Sequence, residues 1–239
     1  MIDKNLVQSR FAKNLKSYNE HAKIQKRMAN RLTELIKSKN PKKILEIGCG
    51  TGFLTELVSN NLDYEIYTAV DIVEDCYSFI KDINPKIDFI PDDFENFLKN
   101  NNEKYDLIVS NATLQWVDNF ESVINKLQHR LNQNGELIFS TFGKENFKEI
   151  YHVMGTSLNY YSPEELRQII QNSSIEQEVH IMAFNSPKDV LKHLQLTGVN
   201  AIENTSWTKS DLIKFENGYK NLCNKPTLTY NPIYVRYSK

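Results

Sequence analysis

The sequence of 239 residues has only eight glycines and three cysteines, and it has no long run of apolar residues. No segment approaches the ~20 apolar residues that a membrane-spanning helix needs, and the polar stretch from Met1 to Asn5 lacks a signal-peptide core. The cysteines lie far apart and form no C-x-x-C pair, so we expect reduced thiols in a cytoplasmic protein. The motifs H-E-x-x-H and G-x-S-x-G are also missing, which argues against metal-dependent and serine-dependent hydrolysis.

Three of the eight glycines, Gly48, Gly50 and Gly52, fall within five residues. An apolar, β-prone stretch from Ile44 to Ile47 precedes them, and apolar residues at helical spacing follow. This pattern predicts a strand, a tight loop and a helix, which bring backbone N–H groups and a positive helix end against a ligand. The spacing is G-x-G-x-G with Glu46 two residues ahead, unlike the G-x-G-x-x-G of dinucleotide sites. It favours S-adenosylmethionine, whose tail is an amino acid.

Strand and helix patterns alternate along the first two thirds of the chain. The predicted strands cover residues 43–47, 64–70, 87–90, 105–110 and 136–141. Strands that alternate with helices form parallel sheets, and such sheets bind ligands beyond the carboxyl ends of their strands. Gly48, Asp71, Asp93 and Asn111 each follow a strand end, so we expect them to meet in one crevice.

These positions match S-adenosylmethionine part by part. The loop glycines are expected to admit the methionine tail with N–H groups facing its carboxylate, and Glu46 is expected to anchor its ammonium group, directly or through water. Asp71 is expected to accept hydrogen bonds from both ribose hydroxyls. Asp93 is expected to accept one from the adenine amino group, while Phe94 or Ile72 packs on the ring. Taken alone, Asp71 could instead cap a helix and Phe94 could belong to the core.

The N-terminal region departs from the alternation. Ser17 and Glu20 have the spacing of a capping box, which predicts a helix from there to about Lys37. In that frame Tyr18 and His21 share one face of the first turn.

The C-terminal region contains an extra segment between two predicted strands, 175–184 and 227–237. We therefore predict one domain with four parts: an N-terminal helical cap segment (1–40), a cofactor-binding core (41–184), an inserted helical cap (185–226) and a final sheet strand (227–239).

Residues 40–145 resemble class I S-adenosylmethionine-dependent methyltransferases. The resemblance rests on the glycine segment and on the runs 70–72, 92–94 and 105–111, which stand in that family's order and spacing. It implies a Rossmann-like α/β fold with a mostly parallel seven-stranded sheet and helices on both faces. One departure is Asp92, where that family often has glycine.

A narrower resemblance runs from end to end, through residues 10–25, 111–116, 140–143, 194–200 and 227–234. These segments resemble the malonyl-acyl-carrier-protein O-methyltransferases of biotin synthesis. The resemblance implies methylation of the free carboxyl of a malonyl thioester, on a carrier protein or on coenzyme A. A carboxylate is ionised at neutral pH, so no general base is required.

In that reaction Tyr18 would donate a hydrogen bond from its hydroxyl to the carboxylate, and His21 would help to orient the carboxylate. Gln115 and Trp116 would line the acceptor pocket. The alternatives are structural: Tyr18 as an aromatic residue that packs the N-terminal helix on the core, and Trp116 as a core residue.

The charge distribution is uneven, because residues 1–43 carry twelve Lys or Arg against three acids. An acyl carrier protein is small and acidic, so this basic arm and the insertion are expected to steer it. The candidate residues are Arg10, Lys13, Lys23, Lys26, Arg27, Lys188, Lys192, Lys209 and Lys214.

Three other functions stay open. A free small carboxylic acid of the trans-aconitate type would suit the same core. Nucleic-acid methylation fits poorly, because residues 111–114 lack the Pro-Pro-aromatic pattern of adenine methylation and the body of the chain is acidic. A protein that binds S-adenosylmethionine without turnover is the third.

Overall fold

The computed structural model describes residues 2–198 and 208–239. Within them the strands are β1 (Lys43–Ile47), β2 (Ile66–Asp71), β3 (Asp88–Pro91), β4 (Tyr105–Ser110), β5 (Leu131–Phe142), β6 (Ser174–Gln177), β7 (His180–Ala183), β8 (Thr227–Tyr230) and β9 (Pro232–Ser238). The α-helices are α1 (Lys4–His21), α2 (Lys23–Leu35), α3 (Phe53–Asn61), α4 (Cys76–Ile83), α5 (Phe94–Asn100), α6 (Phe120–His129), α7 (Lys148–Met154), α8 (Pro163–Ile169), α9 (Pro187–Leu196) and α10 (Lys209–Leu222).

Seven strands form the main sheet in the order β3-β2-β1-β4-β5-β9-β6. The first five in this order run parallel, whereas β9 is antiparallel to both β5 and β6. The strand order reverses at β1, whose neighbours are β2 and β4, and a crevice opens beyond the carboxyl ends at such a point. The predicted mostly parallel seven-stranded sheet is confirmed.

The core lies on both faces of the sheet, because successive side chains of a strand point to opposite sides. Ile44 of β1 joins a buried cluster with Leu32 of α2 and Leu54 of α3. The adjacent Leu45 joins a second cluster on the opposite face, with Val123 of α6. Full burial of such side chains stabilises the fold by about 1.5–3 kcal/mol each, which makes the central strands a rigid base for the crevice.

The prediction of one helix that starts at Ser17 is wrong. The chain is already helical from Lys4, where Asp3 accepts a hydrogen bond from the backbone N–H of Leu6. The Ser17 hydroxyl donates back to the carbonyl of Asn14 instead of capping a new helix. The break comes at Ala22, whose backbone leaves the helical region (φ −81°, ψ 48°) and which is fully buried. Two helices, α1 and α2, therefore replace the single predicted one.

The predicted strands 175–184 and 227–237 are each divided in two. Asn231 separates β8 from β9, and it is fully buried. Its side-chain oxygen accepts from Gln177 Nε2 (3.0 Å), and its Nδ2 donates to the carbonyl of Glu178 (2.7 Å). These bonds fix the chain where it leaves the main sheet. There β7 and β8 pair with each other as a separate antiparallel sheet.

The predicted insertion of residues 185–226 contains α9 and α10, and residues 199–207 lie outside the described part of the chain. Helix α9 packs against both α1 and α10. Our boundaries for the four parts of the domain stay a prediction.

Candidate cofactor and acceptor cavity

A cavity lies beyond the carboxyl ends of β3, β2, β1 and β4, at the predicted crevice. Of the residues that we predicted for the site, nearly all line it. They are Tyr18, Glu46, Gly48, Gly50, Asp71, Ile72, Asp93, Phe94, Asn111, Gln115 and Trp116. Gly52 and His21 do not line it.

The three loop glycines have different structural roles. All have positive φ, and a Cβ on Gly48 would lie 2.1 Å from Thr113 Oγ1, so only glycine fits there. Gly52 caps the start of α3, and a Cβ on it would lie 2.3 Å from the side chain of Ile83. Their N–H groups are already engaged: Gly48 donates to Val70, Gly50 to Asp71 Oδ2 and Gly52 to Cys49. The glycines thus shape the loop, and the N–H contacts that we expect them to make with the methionine carboxylate stay a prediction.

Glu46 is an almost fully buried carboxylate on β1 (1% exposed) that borders the cavity. Its Oε2 accepts hydrogen bonds from the Tyr67 hydroxyl (2.6 Å) and the Thr55 hydroxyl (2.7 Å). Burial raises the pKa of Glu46 to about 7, although these two hydrogen bonds lower it. In the described part of the chain Oε1 has no hydrogen-bond partner. A cation in the cavity would therefore satisfy both the free oxygen and the buried charge.

Asp71 ends β2 and links the glycine loop to the next turn. Its Oδ2 accepts from the N–H of Gly50 (2.8 Å), and its Oδ1 accepts from the N–H of Val73 (2.9 Å). Burial raises the pKa of Asp71, and these two backbone donors oppose that effect. A carboxylate oxygen can accept more than one hydrogen bond, so the predicted ribose contact stays compatible with this geometry.

Asp93 already has partners on both oxygens. Oδ1 caps α5 by accepting from the N–H of Glu95, and Oδ2 lies 2.6 Å from Lys4 Nζ. Lys4 also pairs with Glu95, and its ammonium lies 5.9 Å from the centre of the Phe94 ring. The predicted adenine contact would share this carboxylate with Lys4. Nothing in the sequence pointed to Lys4, because its two partners lie about ninety residues away.

Helix α1 lies across the carboxyl edge of the sheet. Besides the Lys4 ion pair beyond β3, Gln8 Nε2 donates to the carbonyl of Ile72 beyond β2 (2.7 Å). The Thr51 hydroxyl beyond β1 donates to the Asn19 side-chain oxygen (2.5 Å). Between these contacts Phe11 lies over the glycine loop, 3.3 Å from the position of a Cβ on Gly50. The helix thus covers the cavity along its length.

The end of the cavity beyond β4 contains amide and aromatic side chains. Asn111 Oδ1 accepts from the Ser140 hydroxyl (2.7 Å), and its Nδ2 donates to the carbonyl of Gln25 (3.0 Å). Ala112 follows with a positive φ of 53°, held because its N–H donates to Ser140 and its carbonyl accepts from Gln115. Such strained backbone is concentrated at functional sites.

Tyr18 lines the cavity from α1, where its ring contacts those of Phe11 and Phe53. Its hydroxyl has no hydrogen-bond partner in the described residues. Burial raises the pKa of Tyr18 above its ordinary value of 10, so the hydroxyl stays protonated and can donate. His21 ends the same helix near His193, and the two histidines do not share the cavity.

The described residues contain no group of three or more His, Cys, Asp or Glu side chains placed to hold a metal ion. No helix among those described is both long and apolar enough to span a bilayer.

Comparisons with known proteins agree with the fold. Residues 18–178 match the family model described as "Methyltransferase domain". A candidate methyltransferase from Bacillus halodurans C-125 superposes with a TM-score of 0.64 at 11% identity, over 88% of this chain and 98% of that one. The plantazolicin methyltransferase BpumL, solved with SAH, superposes with a TM-score of 0.52 at 18% identity, over 96% and 94%. At these identities the two structures show the fold alone.

Proteins with similar sequences show to which family the chain belongs. The malonyl-[acyl-carrier protein] O-methyltransferase of Calditerrivibrio nitroreducens is 39% identical over 93% of this chain and 91% of its own length. Proteins with the same name from Chlorobium luteolum and Acinetobacter baylyi are each 34% identical over 98% of this chain, and over 95% and 96% of their own lengths. By this similarity over nearly its full length, the chain belongs to the malonyl-acyl-carrier-protein O-methyltransferase family.

Proposed function

We propose that this protein transfers the methyl group of S-adenosylmethionine to the free carboxylate of a malonyl thioester on an acyl carrier protein. The full-length relatives carry this activity in their names. The observation on the chain itself that carries the proposal is the Tyr18 hydroxyl, a neutral donor in the cavity whose oxygen has no partner among the described residues. A carboxylate is the acceptor that such a donor recognises without forming an ion pair.

S-adenosylmethionine supplies an electrophilic sulfonium methyl group when it is bound. Glu46 would hold the ammonium group of its tail through the free Oε1, and Asp71 would bind its ribose hydroxyls. Gly48, Gly50 and Gly52 keep the loop open for the tail, while Ile72, Phe94 and Asp93 would surround the adenine.

Asn111, which follows β4, would complete the cofactor site. At the acceptor end, Tyr18 would donate a hydrogen bond to the malonyl carboxylate, and Gln115 and Trp116 would enclose it. No proton has to be removed, because the carboxylate is ionised near neutral pH. Catalysis then rests on alignment and on exclusion of water by α1, and such positioning contributes about 7–11 kcal/mol in well-oriented reactions. His21 does not line the cavity, so it would affect this site only by helping to fix the position of α1.

The direct test is transfer of a labelled methyl group to a set of acceptors. We expect the highest kcat/KM with malonyl-acyl carrier protein, a lower value with malonyl-coenzyme A, and the lowest values with free malonate and trans-aconitate. A preference for a free acid would support the small-acid alternative and overturn the proposal. Tight binding of S-adenosylmethionine without transfer to any thioester would support a non-catalytic binding protein.

Docking of the carrier protein is the second part of the proposal. Lys13 on α1, Lys23 on α2 and Lys192 on α9 are exposed, and among the described residues none forms an ion pair. Their elements adjoin, since α1 packs on α9. Burial lowers the pKa of His193 on α9, and the nearby charges of His21 and Lys23 add to that effect. By contrast Arg27 pairs with Glu178, so it is less available to a partner.

A double charge reversal, Lys13→Glu with Lys192→Glu, tests this surface. Exposed pairs contribute only about 0.2–1 kcal/mol each, so we expect the kcat/KM for malonyl-acyl carrier protein to fall several-fold at low salt and less at high salt. The kcat/KM for malonyl-coenzyme A is the internal reference and should not change. Lys86→Glu, an exposed residue near the amino end of β3 and so away from the cavity, is the matched control. Equal activity of the double variant and the control would refute docking at this surface.

A further inference from the structure

Gln25 is a buried polar residue that the roles described above do not use. It lies on α2, is 5% exposed and lines the cavity. Its Oε1 is shielded from solvent and has no hydrogen-bond partner, and no described residue bonds to its Nε2 either. A buried acceptor without a donor destabilises the folded state. A fold that keeps such an acceptor next to a ligand cavity points to a ligand that donates a hydrogen bond to it.

The buried face of α2 explains why this side chain is held at the cavity. The buried residues of α2 recur at helical spacing and form one stripe, Gln25, Met28, Ala29 and Leu32. Met28 and Leu32 pack in the same buried cluster as Ile44 of β1. Gln25 is therefore the polar first residue of a stripe that otherwise packs on the apolar face of the sheet.

Glu46 lies on the same face of the sheet as this stripe. It is two residues after Ile44 on β1, and alternate residues of a strand share a face. In the pairing of β1 with β4, the partner of Glu46 is Val109. Asn111 follows two residues later, and its Nδ2 donates to the backbone carbonyl of Gln25 (3.0 Å). Gln25 and Glu46 thus border the cavity from the same side.

The free side-chain atoms of these two residues are both acceptors. Oε1 of Glu46, like Oε1 of Gln25, has no hydrogen-bond partner among the described residues. A carboxylate ligand satisfies neither oxygen, because it only accepts hydrogen bonds. An ammonium group has three N–H donors and a positive charge. It therefore satisfies both oxygens and also the buried charge of Glu46.

The order of the strands distinguishes this ammonium from the other donors of S-adenosylmethionine. The expected sites of the ribose hydroxyls and the adenine amino group are Asp71, which ends β2, and Asp93, which follows β3. Adjacent strands lie about 4.8 Å apart, so the adenine site beyond β3 is about 10 Å from β1. The ammonium of the methionine tail is the donor that remains for the pair on the β1 and β4 side.

We propose that Gln25 is a cofactor-binding residue whose Oε1 accepts a hydrogen bond from the ammonium group of the methionine tail, beside the contact from Oε1 of Glu46. The inference rests on the part of the proposed function that concerns S-adenosylmethionine, and it does not depend on which acid is methylated. Because the protein holds neither end of the Gln25 amide, its oxygen can turn toward the ammonium without breaking a hydrogen bond. Two protein oxygens on one ammonium fix the direction of the tail and so help to orient the methyl group.

Gln25→Met tests the proposal, because methionine keeps the length and helix propensity of glutamine but has no side-chain oxygen. Calorimetric titration compares S-adenosylhomocysteine with its analogue that lacks the amino group. Loss of one hydrogen bond to a charged group predicts a Kd for S-adenosylhomocysteine about 10- to 100-fold above wild type. The Kd for the analogue should stay within about twofold of wild type. The Tm without ligand should not fall, because the unbound amide has no partner to lose.

Two further variants complete the test. Gln168→Met, at an exposed position on α8, is the matched control and should bind both ligands like wild type. Gln25→Glu keeps an acceptor oxygen and removes both N–H donors. We expect it to bind S-adenosylhomocysteine at least as tightly as wild type. A Kd as weak as that of Gln25→Met would show that the amide acts through its N–H and would overturn the proposal.

The remaining results separate the other possibilities. An unchanged Kd for S-adenosylhomocysteine in Gln25→Met refutes the contact. Equal weakening of both ligands also refutes it, because the loss then does not depend on the ammonium, and a lower Tm would identify a structural role. With the expected pattern of Kd values, a wild-type protein that methylates no malonyl thioester overturns the proposed acceptor while it supports this contact.

Discussion

Replacement of Glu46 by glutamine is expected to stabilise the ligand-free protein and to weaken cofactor binding. Glutamine retains a side-chain oxygen that accepts from Tyr67 and Thr55, so the two hydrogen bonds to Oε2 survive. What is removed is a carboxylate that is 1% exposed and has no cation beside it in the described residues. A buried charge without a counterion destabilises the folded state.

The magnitude follows from the pKa of Glu46, which burial raises from 4.5 to about 7. At about 1.4 kcal/mol for each tenfold change in the dissociation constant, the ionised group destabilises the fold by about 3 kcal/mol. Because the pKa is higher in the folded than in the unfolded state, the folded protein holds its proton more tightly. Its stability is therefore fully retained below about pH 4.5 and falls as the pH rises through about 7.

Urea denaturation of wild type and Glu46→Gln at pH 5 and pH 8 measures this effect. We expect the variant to be more stable than wild type by up to about 3 kcal/mol at pH 8, with the difference mostly lost at pH 5. Calorimetric titration at pH 8 should show S-adenosylhomocysteine binding about 10- to 100-fold more weakly to the variant, because a hydrogen bond between charged groups is lost. A variant that is less stable at pH 8, or a difference that does not change with pH, would refute the reasoning.

Two further predictions concern the donor and the glycine loop. Tyr18→Phe should lower kcat/KM for malonyl-acyl carrier protein about 10- to 100-fold in the methyl-transfer assay, through loss of one hydrogen bond to a carboxylate; an unchanged rate removes Tyr18 from the catalytic role. Gly48→Ala should abolish binding of S-adenosylhomocysteine and lower the Tm, because its Cβ would lie 2.1 Å from Thr113 Oγ1. Gly155→Ala is the control for backbone strain alone, because Gly155 has φ +75° and no atom lies within 4 Å of its added Cβ. Equal losses of Tm in both variants would show that the contact with Thr113 does not cause the loss in Gly48→Ala.

Most of the parallel sheet was predictable from local pattern. Strands β1 and β4 have the predicted bounds because both are short apolar runs that end at punctuating residues. The position of Asp71, Asp93 and Asn111 after strand ends was enough to predict their convergence, since parallel strands end at one edge. The helix start at Ser17 was wrong because Asp3, fourteen residues earlier, is the residue that caps α1.

The sequence by itself determined the cofactor class, because the glycine spacing, Glu46 and the strand-end residues are all local signals. It also determined the family, through matching segments that run from residue 10 to residue 234. Tertiary structure decided the rest of the site. Only the packing of α1 across the sheet brings Lys4 to Asp93, and only the packing of α2 brings the backbone carbonyl of Gln25 to Asn111. These contacts join residues about 90 apart in the chain. No local pattern encodes a distance of that kind, because it arises from the packing of whole helices on the sheet.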